Sequence, residues 1–171
     1  MVGMHLCKAA YLHMPTTIRN ASMYDLGELV RLCVEHAAYE RSSFDPVGKE
    51  EALRRMLFAS DARLRCLVAE EGGVLIGYAT FSVECSTWDA DHYMHMDCLF
   101  LRPEGRNKGV GRELMRTIAQ EALAQGVVRM QWQTPLFNVD AVRFYDRMGP
   151  VKKEKFRLFL GEAETRALAT S

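Results

Sequence analysis

Apolar residues recur at Leu26, Leu29, Val30, Cys33, Val34 and Ala37, the one-face spacing of an amphipathic helix. Ser22-Met23-Tyr24-Asp25, just ahead of it, has the capping-box form, a hydroxyl three residues before an acid. Thr16 to Arg19 reads as a short opening strand, and the helix is expected to end near Tyr39–Arg41. Asp45-Pro46 marks a second helix start, with Asp as cap and Pro at the first position, and Leu53, Met56 and Leu57 as its inner face. The period then changes to two. Leu64 to Glu70, a Gly72-Gly73 turn and Val74 to Val83 predict a hairpin, and His92 to Leu101 a further strand after a polar loop around Ser86–Asp91. Gly105–Gly111 leads into a long helix with Val110, Leu114, Met115, Ile118, Ala119, Ala122 and Leu123 inward and Gly126 as C-cap. Val127 to Gln133 alternates, with Val128, Met130 and Trp132 on one face. Asn138 can cap a short helix carrying Ala141, Phe144, Tyr145 and Met148 and closed by Gly149; Phe156 to Leu160 reads as a final strand. Two helices, a run of strands, then strand–helix–strand–helix–strand make a mixed α/β domain.

Composition narrows the partners. The 171 residues suit one domain with a sizeable core, and neither repeat nor linker divides them. Lys and Arg total 22, as do Asp and Glu, and the pI is near 7.0, so neither nucleic acid nor an acidic membrane is an expected partner. A mean hydropathy of −0.14, 26% charged and 49% hydrophobic residues argue against disorder, and no apolar run approaches the ~20 residues of a membrane helix. Residues 1–13 are expected to be a poorly ordered extension ahead of a domain over residues 14–171. The five cysteines, Cys7, Cys33, Cys66, Cys85 and Cys98, are odd in number, widely spaced and free of any CxxC pair. They read as reduced thiols packed as small hydrophobes in a cytoplasmic protein.

The chemistry concentrates where Leu99-Phe100-Leu101 runs through Arg106-Asn107-Lys108-Gly109-Val110-Gly111-Arg112 into the long helix. A strand entering a glycine-bearing loop that opens a helix presents unpaired backbone N–H groups and the positive end of the helix dipole. Gly109 and Gly111 let an anion, most naturally a phosphate, approach the backbone. The loop lacks the GK[ST] of a Walker motif and the GxGxxG of a dinucleotide fold. By itself it could also be an ordinary strand–helix turn.

Arg106-xx-Gly109-x-Gly111 after an apolar strand resembles motif A, [R/Q]xxGx[G/A], of the GNAT acyl-CoA N-acyltransferase superfamily, and Asn138-xx-Ala141-xx-Phe144-Tyr145-xxx-Gly149 resembles that family's later helix. The resemblance spans about residues 16–160 and implies a three-layer α/β fold, a mixed, mostly antiparallel sheet with helices on both faces. It implies acetyl-CoA as co-substrate and direct transfer to a primary amine. Leu99, Phe100 and Leu101 would lie on the splayed fourth strand and bond the pantetheine amides. Arg106, Asn107, Lys108, Gly109, Val110 and Gly111 would wrap the pyrophosphate, and Arg112 would begin the helix. Asn138 would face the pantetheine arm, and Tyr145 would protonate the leaving thiolate. The acceptor amine must lose a proton, and Asp97 lies where polyamine-type relatives carry a glutamate; it would be the base, or else a carboxylate bonded to its neighbours or to His95. The backbone N–H of Leu99 or Leu101 would serve the oxyanion. The chain looks most like diamine, polyamine and antibiotic-amine acetyltransferases, so a small-molecule amine is the expected acceptor. A protein or peptide acceptor and a non-catalytic acyl-CoA-binding module are the alternatives. The resemblance also implies a homodimer, since relatives pair through their C-terminal strands.

His92, His95 and Asp97 do not make a metal triad, because alternation puts His92 on the opposite face from the other two, and no metal is expected. Trp88 is read as a lid or interface residue in a polar loop. Glu84, Asp89 and Asp91 give that loop a negative cast, either a solvated turn or an attraction for a cationic amine. Lys152, Lys153 and Lys155 read as a solvated turn or a contact to the cofactor's ribose phosphate. Pro150 departs from the family pattern, which has an apolar residue after the glycine.

Overall fold

The structure, a computed structural model, describes residues 15–171; the extension expected over residues 1–13, and Cys7 with it, lies outside the described residues. The chain runs β1 (Thr17–Asn20), α1 (Leu26–Tyr39), α2 (Lys49–Phe58), β2 (Arg65–Glu71), β3 (Val74–Ser86), β4 (Asp91–Leu101), α3 (Val110–Ala124), β5 (Met130–Trp132), α4 (Val139–Asp146) and α5 (Glu162–Ala169). It forms two compact units that divide between Pro135 and Leu136.

The first unit holds a five-stranded sheet in the order β1-β2-β3-β4-β5, antiparallel except for the parallel pair β4–β5. Strand alternation sends Cys66 and Val68 of β2 to one face, where Leu29 and Leu32 of α1 meet Tyr78 and Phe100, with Leu53 and Leu57 of α2 beside them. Leu67, Ala69, Ala79 and Phe81 alternate to the other face, which α3 covers with buried Val110, Leu114, Met115, Ile118 and Ala122. Layers on both faces of a mixed sheet match the expected class.

Several local expectations are corrected. The Asp45-Pro46 pair does not start α2; the Asp45 carboxylate accepts from Val47 N–H at 3.0 Å and closes a turn, and the helix starts at Lys49 after Gly48 at φ 70°. Of its expected inner face, Met56 is exposed. In α1 the buried stripe is Leu26, Leu29 and Leu32, and Val34 faces outward. Leu123 of α3 is also exposed, while Gly126 closes the helix as expected: at φ 73° it lets Val127 N–H reach Ala122 O at 2.9 Å. The strand expected over Val127–Gln133 shrinks to Met130–Trp132, leaving Val128 exposed. Phe156–Leu160 forms no strand, since it meets no ladder partner, and α5, which no sequence signal marked, follows it. A strand exists only where another strand supplies hydrogen bonds.

The start of α1 is an ion cluster. Ser22 N–H donates to the Asp25 carboxylate at 2.6 Å, and Arg19 of β1 grips the same carboxylate at 2.7 and 2.8 Å while also bonding Glu70 of β2. The Arg19 guanidinium holds the Asp25 carboxyl down at about 2 from the ordinary 3.8. Because the folded value lies below the unfolded one, this stabilisation is present above about pH 4 and is lost as pH falls toward 2. With Arg19 partly solvated, Asp25→Asn is expected to cost about 1–2 kcal/mol, roughly 2–8 °C in Tm at pH 7. Melting both proteins at pH 7 and near pH 2.5 checks this: the gap should narrow in acid.

Candidate active site

Strand β4 sets the geometry. Its pairing with β5 covers only Met94–Met96 against Met130–Trp132, where β5 ends, yet β4 continues to Leu101, so beyond Met96 that edge of β4 has no strand partner among the described residues. A β-bulge sits at that point. Thr80 opposes Cys98 and Phe81 opposes Met96, leaving Asp97 as the extra residue. The bulge changes the parity of the strand. Before it, Met94 N–H reaches across to Arg129 O at 2.8 Å on the β5 side. After it, Arg102 N–H bonds Ile76 O of β3 at 2.8 Å, so alternation turns the backbone groups of Leu99 and Leu101 toward the open edge. Leu99 is half-buried, Phe100 and Leu101 are buried, and Asp97 is exposed, with the Cys98 thiol donating to its carboxylate at 3.6 Å.

The loop that follows is a short helical turn, Pro103–Gly105, and a reversal in which Asn107 (φ 59°) and Gly109 (φ 85°) are both left-handed around Lys108. Left-handed residues set among right-handed ones curl successive amides toward one concave side. The first intrahelical bond of α3 is Glu113 N–H to Gly109 O at 3.0 Å, so the amides of Val110, Gly111 and Arg112 precede it at the positive end of the dipole. Arg106 N–H is taken by Pro103 O at 3.1 Å. A β-carbon on Gly109 would meet open space, so backbone conformation rather than crowding favours glycine there. A cleft of about 460 Å³ opens beside this terminus, lined by Pro15, Thr16, Ile18, Lys108, Gly109, Val110 and Glu113.

Side chains brace the loop. Arg106 Nε donates to Leu101 O at 2.9 Å, and its guanidinium lies 4.3 Å over the Tyr39 ring of α1. Lys108 Nζ pairs with Glu71 at 3.2 Å. Arg102 bonds Glu35 at 2.6 Å, Glu28 at 2.8 Å and Leu75 O at 2.8 Å, tying α1 to the end of β4. Sequence reasoning missed this clamp, because its partners lie 27 to 74 residues away and no local pattern connects them. It also missed Gly77, where a β-carbon would collide with Phe100 O and the Leu101 side chain; an isolated glycine inside a strand pattern was the available signal.

The remaining candidates sort plainly. His95 is half-buried with its ring 6.4 Å from Tyr93, and His92 is exposed. Among the described residues, no group of three or more His, Cys, Asp and Glu is placed to hold a metal ion. Arg129 pairs with Asp89 at 2.5 Å and Asp91 at 3.0 Å, so one cation offsets one of the three negative charges of the β3–β4 turn and its negative cast is reduced but kept. Trp88 at its tip is 98% exposed. In the second unit, buried Asn138 caps α4 by accepting from Ala141 N–H at 3.2 Å. Tyr145 is buried in the last turn of α4, its ring 5.0 Å from that of Phe144. Lys152 pairs with Asp146 at 2.7 Å, and Lys153 and Lys155 are exposed.

The model of the acetyltransferase (GNAT) family matches residues 28–149. Thialysine N-epsilon-acetyltransferase of Sus scrofa is 30% identical over 140 residues, covering 77% of this chain and 82% of that protein. L-ornithine N5-acetyltransferase of Arabidopsis thaliana is 31% identical over 85 residues, 50% of this chain and 37% of that protein. Among solved structures, an aminoglycoside N-acetyltransferase in complex with CoA superposes with a TM-score of 0.72 at 18% identity, covering 87% of this chain and 96% of that one; at that identity the likeness is one of fold.

Proposed function

The chain belongs to the GNAT acetyltransferase family and is an N-acetyltransferase that uses acetyl-CoA, and from that premise we propose that it acetylates the terminal primary amine of a small molecule. The carrying observation is the edge of β4 that has no strand partner beyond Met96, directly before a helix terminus whose first amides precede the intrahelical bonds. An open strand edge suits an extended amide-bearing arm, and the terminus suits the diphosphate at its end. In this reading Leu99 and Leu101 bind the pantetheine, while Phe100, whose backbone alternates toward β3 and whose ring is buried against α1, holds the strand in place. Arg106 braces the loop while Asn107, Lys108, Gly109, Val110, Gly111 and Arg112 take the diphosphate. Asn138, besides capping α4, serves the pantetheine arm. The relatives named for thialysine and L-ornithine act on side-chain amines, which supports an acceptor whose amine ends a flexible alkyl arm.

The chemistry follows from two proton problems. An alkylamine with pKa near 10.4 is unprotonated in only about one molecule in 10³ at pH 7, so a base must take its proton before or during attack. Asp97 fills that role: the bulge pushes it out of the ladder and leaves its carboxylate exposed. The N–H groups of Leu99 or Leu101 receive the charge that grows on the thioester oxygen. The nitrogen–carbon bond forms, the carbon–sulfur bond breaks, and Tyr145 protonates the departing thiolate. Asp97→Asn is expected to lower kcat/KM for the amine by 10²–10³ with little change in the KM for acetyl-CoA. The assay is thiol release against diamines, polyamines, basic amino acids, aminoglycosides and peptides. Turnover of peptides alone would replace the small-amine reading, and tight CoA binding with no turnover at all would leave only an acyl-CoA-binding module.

Residues 14–171 are proposed to act as one N-acetyltransferase domain, since the family match spans the boundary between the two compact units. A homodimer is proposed through the C-terminal stretch, where Phe156, Leu158, Phe159 and Leu160 are large apolar side chains left exposed within five residues. A cytoplasmic location, without nucleic acid or membrane, is supported by balanced charge and by the free thiols Cys33, Cys66, Cys85 and Cys98. No helix among the described residues is long and apolar enough to cross a membrane.

A further inference from the structure

A strand edge carries the same pair of backbone groups every second residue, about 6.6 Å apart. Beyond the bulge, the open edge of β4 presents the N–H and C=O of Leu99 and of Leu101, since Phe100 and Arg102 turn theirs toward β3. An extended arm with repeated amides could therefore pair at Leu99 or slip one period to Leu101. Leu101 O, however, is already taken. Arg106 reaches back from the loop, and its Nε donates to that oxygen at 2.9 Å. The guanidinium lies 4.3 Å over the Tyr39 ring, with the Phe100 ring 5.9 Å away. Tyr39 ends α1 and Phe100 packs in the cluster beside α1, whereas α3 covers the opposite face of the sheet. The charge of Arg106 thus sits on the α1 side, away from the amides that open α3, and its own N–H is spent on Pro103 O.

We infer that Arg106 is a positioning residue that fixes the register of the pantetheine arm on β4 by closing the Leu101 carbonyl, and is not a ligand of the diphosphate. The inference rests on the reading of that edge as the pantetheine site. With Leu101 O occupied, the edge beyond the bulge offers Leu99 O as its acceptor, with the N–H groups of Leu99 and Leu101 to either side. An amide of the arm that donates must then donate to Leu99. With Leu101 O vacated, the arm could donate there as well, and the slipped register would carry the thioester about 6.6 Å along the strand. Reaction needs the attacking nitrogen within about 3–3.5 Å of the carbonyl carbon, so a slipped arm is bound but unreactive. The hydrogen bond is a strong one, because its donor is charged, and the aromatic ring against the guanidinium face limits how far Nε can turn away.

Kinetics with two acetyl donors tests this in the full chain, using the amine that gives the fastest thiol release in the panel above. Arg106→Met keeps the bulk of the side chain without the donor. With S-acetylpantetheine, which has no diphosphate to anchor it, kcat should fall about threefold and KM should fall with it, the pattern of unproductive binding. With acetyl-CoA the fall should be smaller, because the diphosphate resists the slip. Arg106→Gln places an N–H as many bonds from the backbone as Nε and should recover most of the loss. Arg106→Lys keeps the charge one bond further out and should recover less. A ligand of the diphosphate gives the reverse, a KM raised for acetyl-CoA alone and Lys as the better replacement. That result, or no difference between Arg106→Met and wild type with either donor, overturns the inference and leaves the acetyltransfer reading in place. If no amine of the panel releases thiol from acetyl-CoA, that reading fails and this inference with it. If the variants fold poorly, a crystal of the wild type with CoA decides. Arg106 Nε should stay on Leu101 O while an amide of the arm donates to Leu99 O, and a guanidinium turned onto the diphosphate overturns the inference.

Discussion

Gly109→Asp is expected to raise the KM for acetyl-CoA about 100-fold, or about 2.7 kcal/mol of binding, with the fold intact. Gly109 is the N-cap of α3 at φ 85° and a β-carbon there meets open space, so nothing has to move to admit the side chain. The left-handed conformation costs about 1–2 kcal/mol, but Asp tolerates it better than most residues and can itself cap the exposed amides. That capping is what blocks the site. The new carboxylate takes the donors the diphosphate needs and repels its charge. Gly109→Asn separates the two effects: it occupies the same amides without charge and should weaken binding only about tenfold. Calorimetry of acetyl-CoA against the two variants reads the difference. Affinity in the Asp variant equal to wild type would show that the coenzyme's phosphates lie elsewhere.

Tyr145→Phe is expected to lower kcat by 10²–10³ while leaving both KM values within a few-fold of wild type. In the proposed reaction the hydroxyl acts when sulfur leaves, so its loss should fall on the transition state rather than on binding. Phe fills the same buried space in the last turn of α4, next to Phe144, which keeps the helix packed. The leaving group supplies the sharper check. An acetyl donor whose thiol is more acidic departs as a thiolate without help, so the variant should recover most of its deficit with such a donor. Equal losses with acetyl-CoA and with the more acidic donor would falsify the assignment of Tyr145 as the acid.

The strand–loop–helix that forms the amide cradle was legible because its signals are local. Apolar residues before Arg106, glycines at 109 and 111 and a one-face apolar stripe after them need no distant partner to be recognised. The same holds for the Asn138 cap and the Gly126 stop, both present as read. Phe156–Leu160 shows the opposite case. Its apolar, aromatic-rich run reads locally as a strand, but the ladder needs a neighbour, and its side chains are exposed. Asp45-Pro46 failed more narrowly, since an Asx turn and a helix cap use the same side-chain acceptor on different amides.

The sequence by itself determined the order of the elements through α4, the main apolar stripes of α1 and α3, and the glycine-bearing strand–loop–helix junction, because each depends on residues within one or two turns of one another. Tertiary structure alone decided three things. It left β4 without a strand partner past Met96, it set the bulge that turns Leu99 and Leu101 to the open edge, and through that bulge it lifted Asp97 out of the ladder. Parity in a strand is a property of its pairing, and hydrogen bonds between α1, β3 and β4 join positions tens of residues apart, so neither is written in any local spacing.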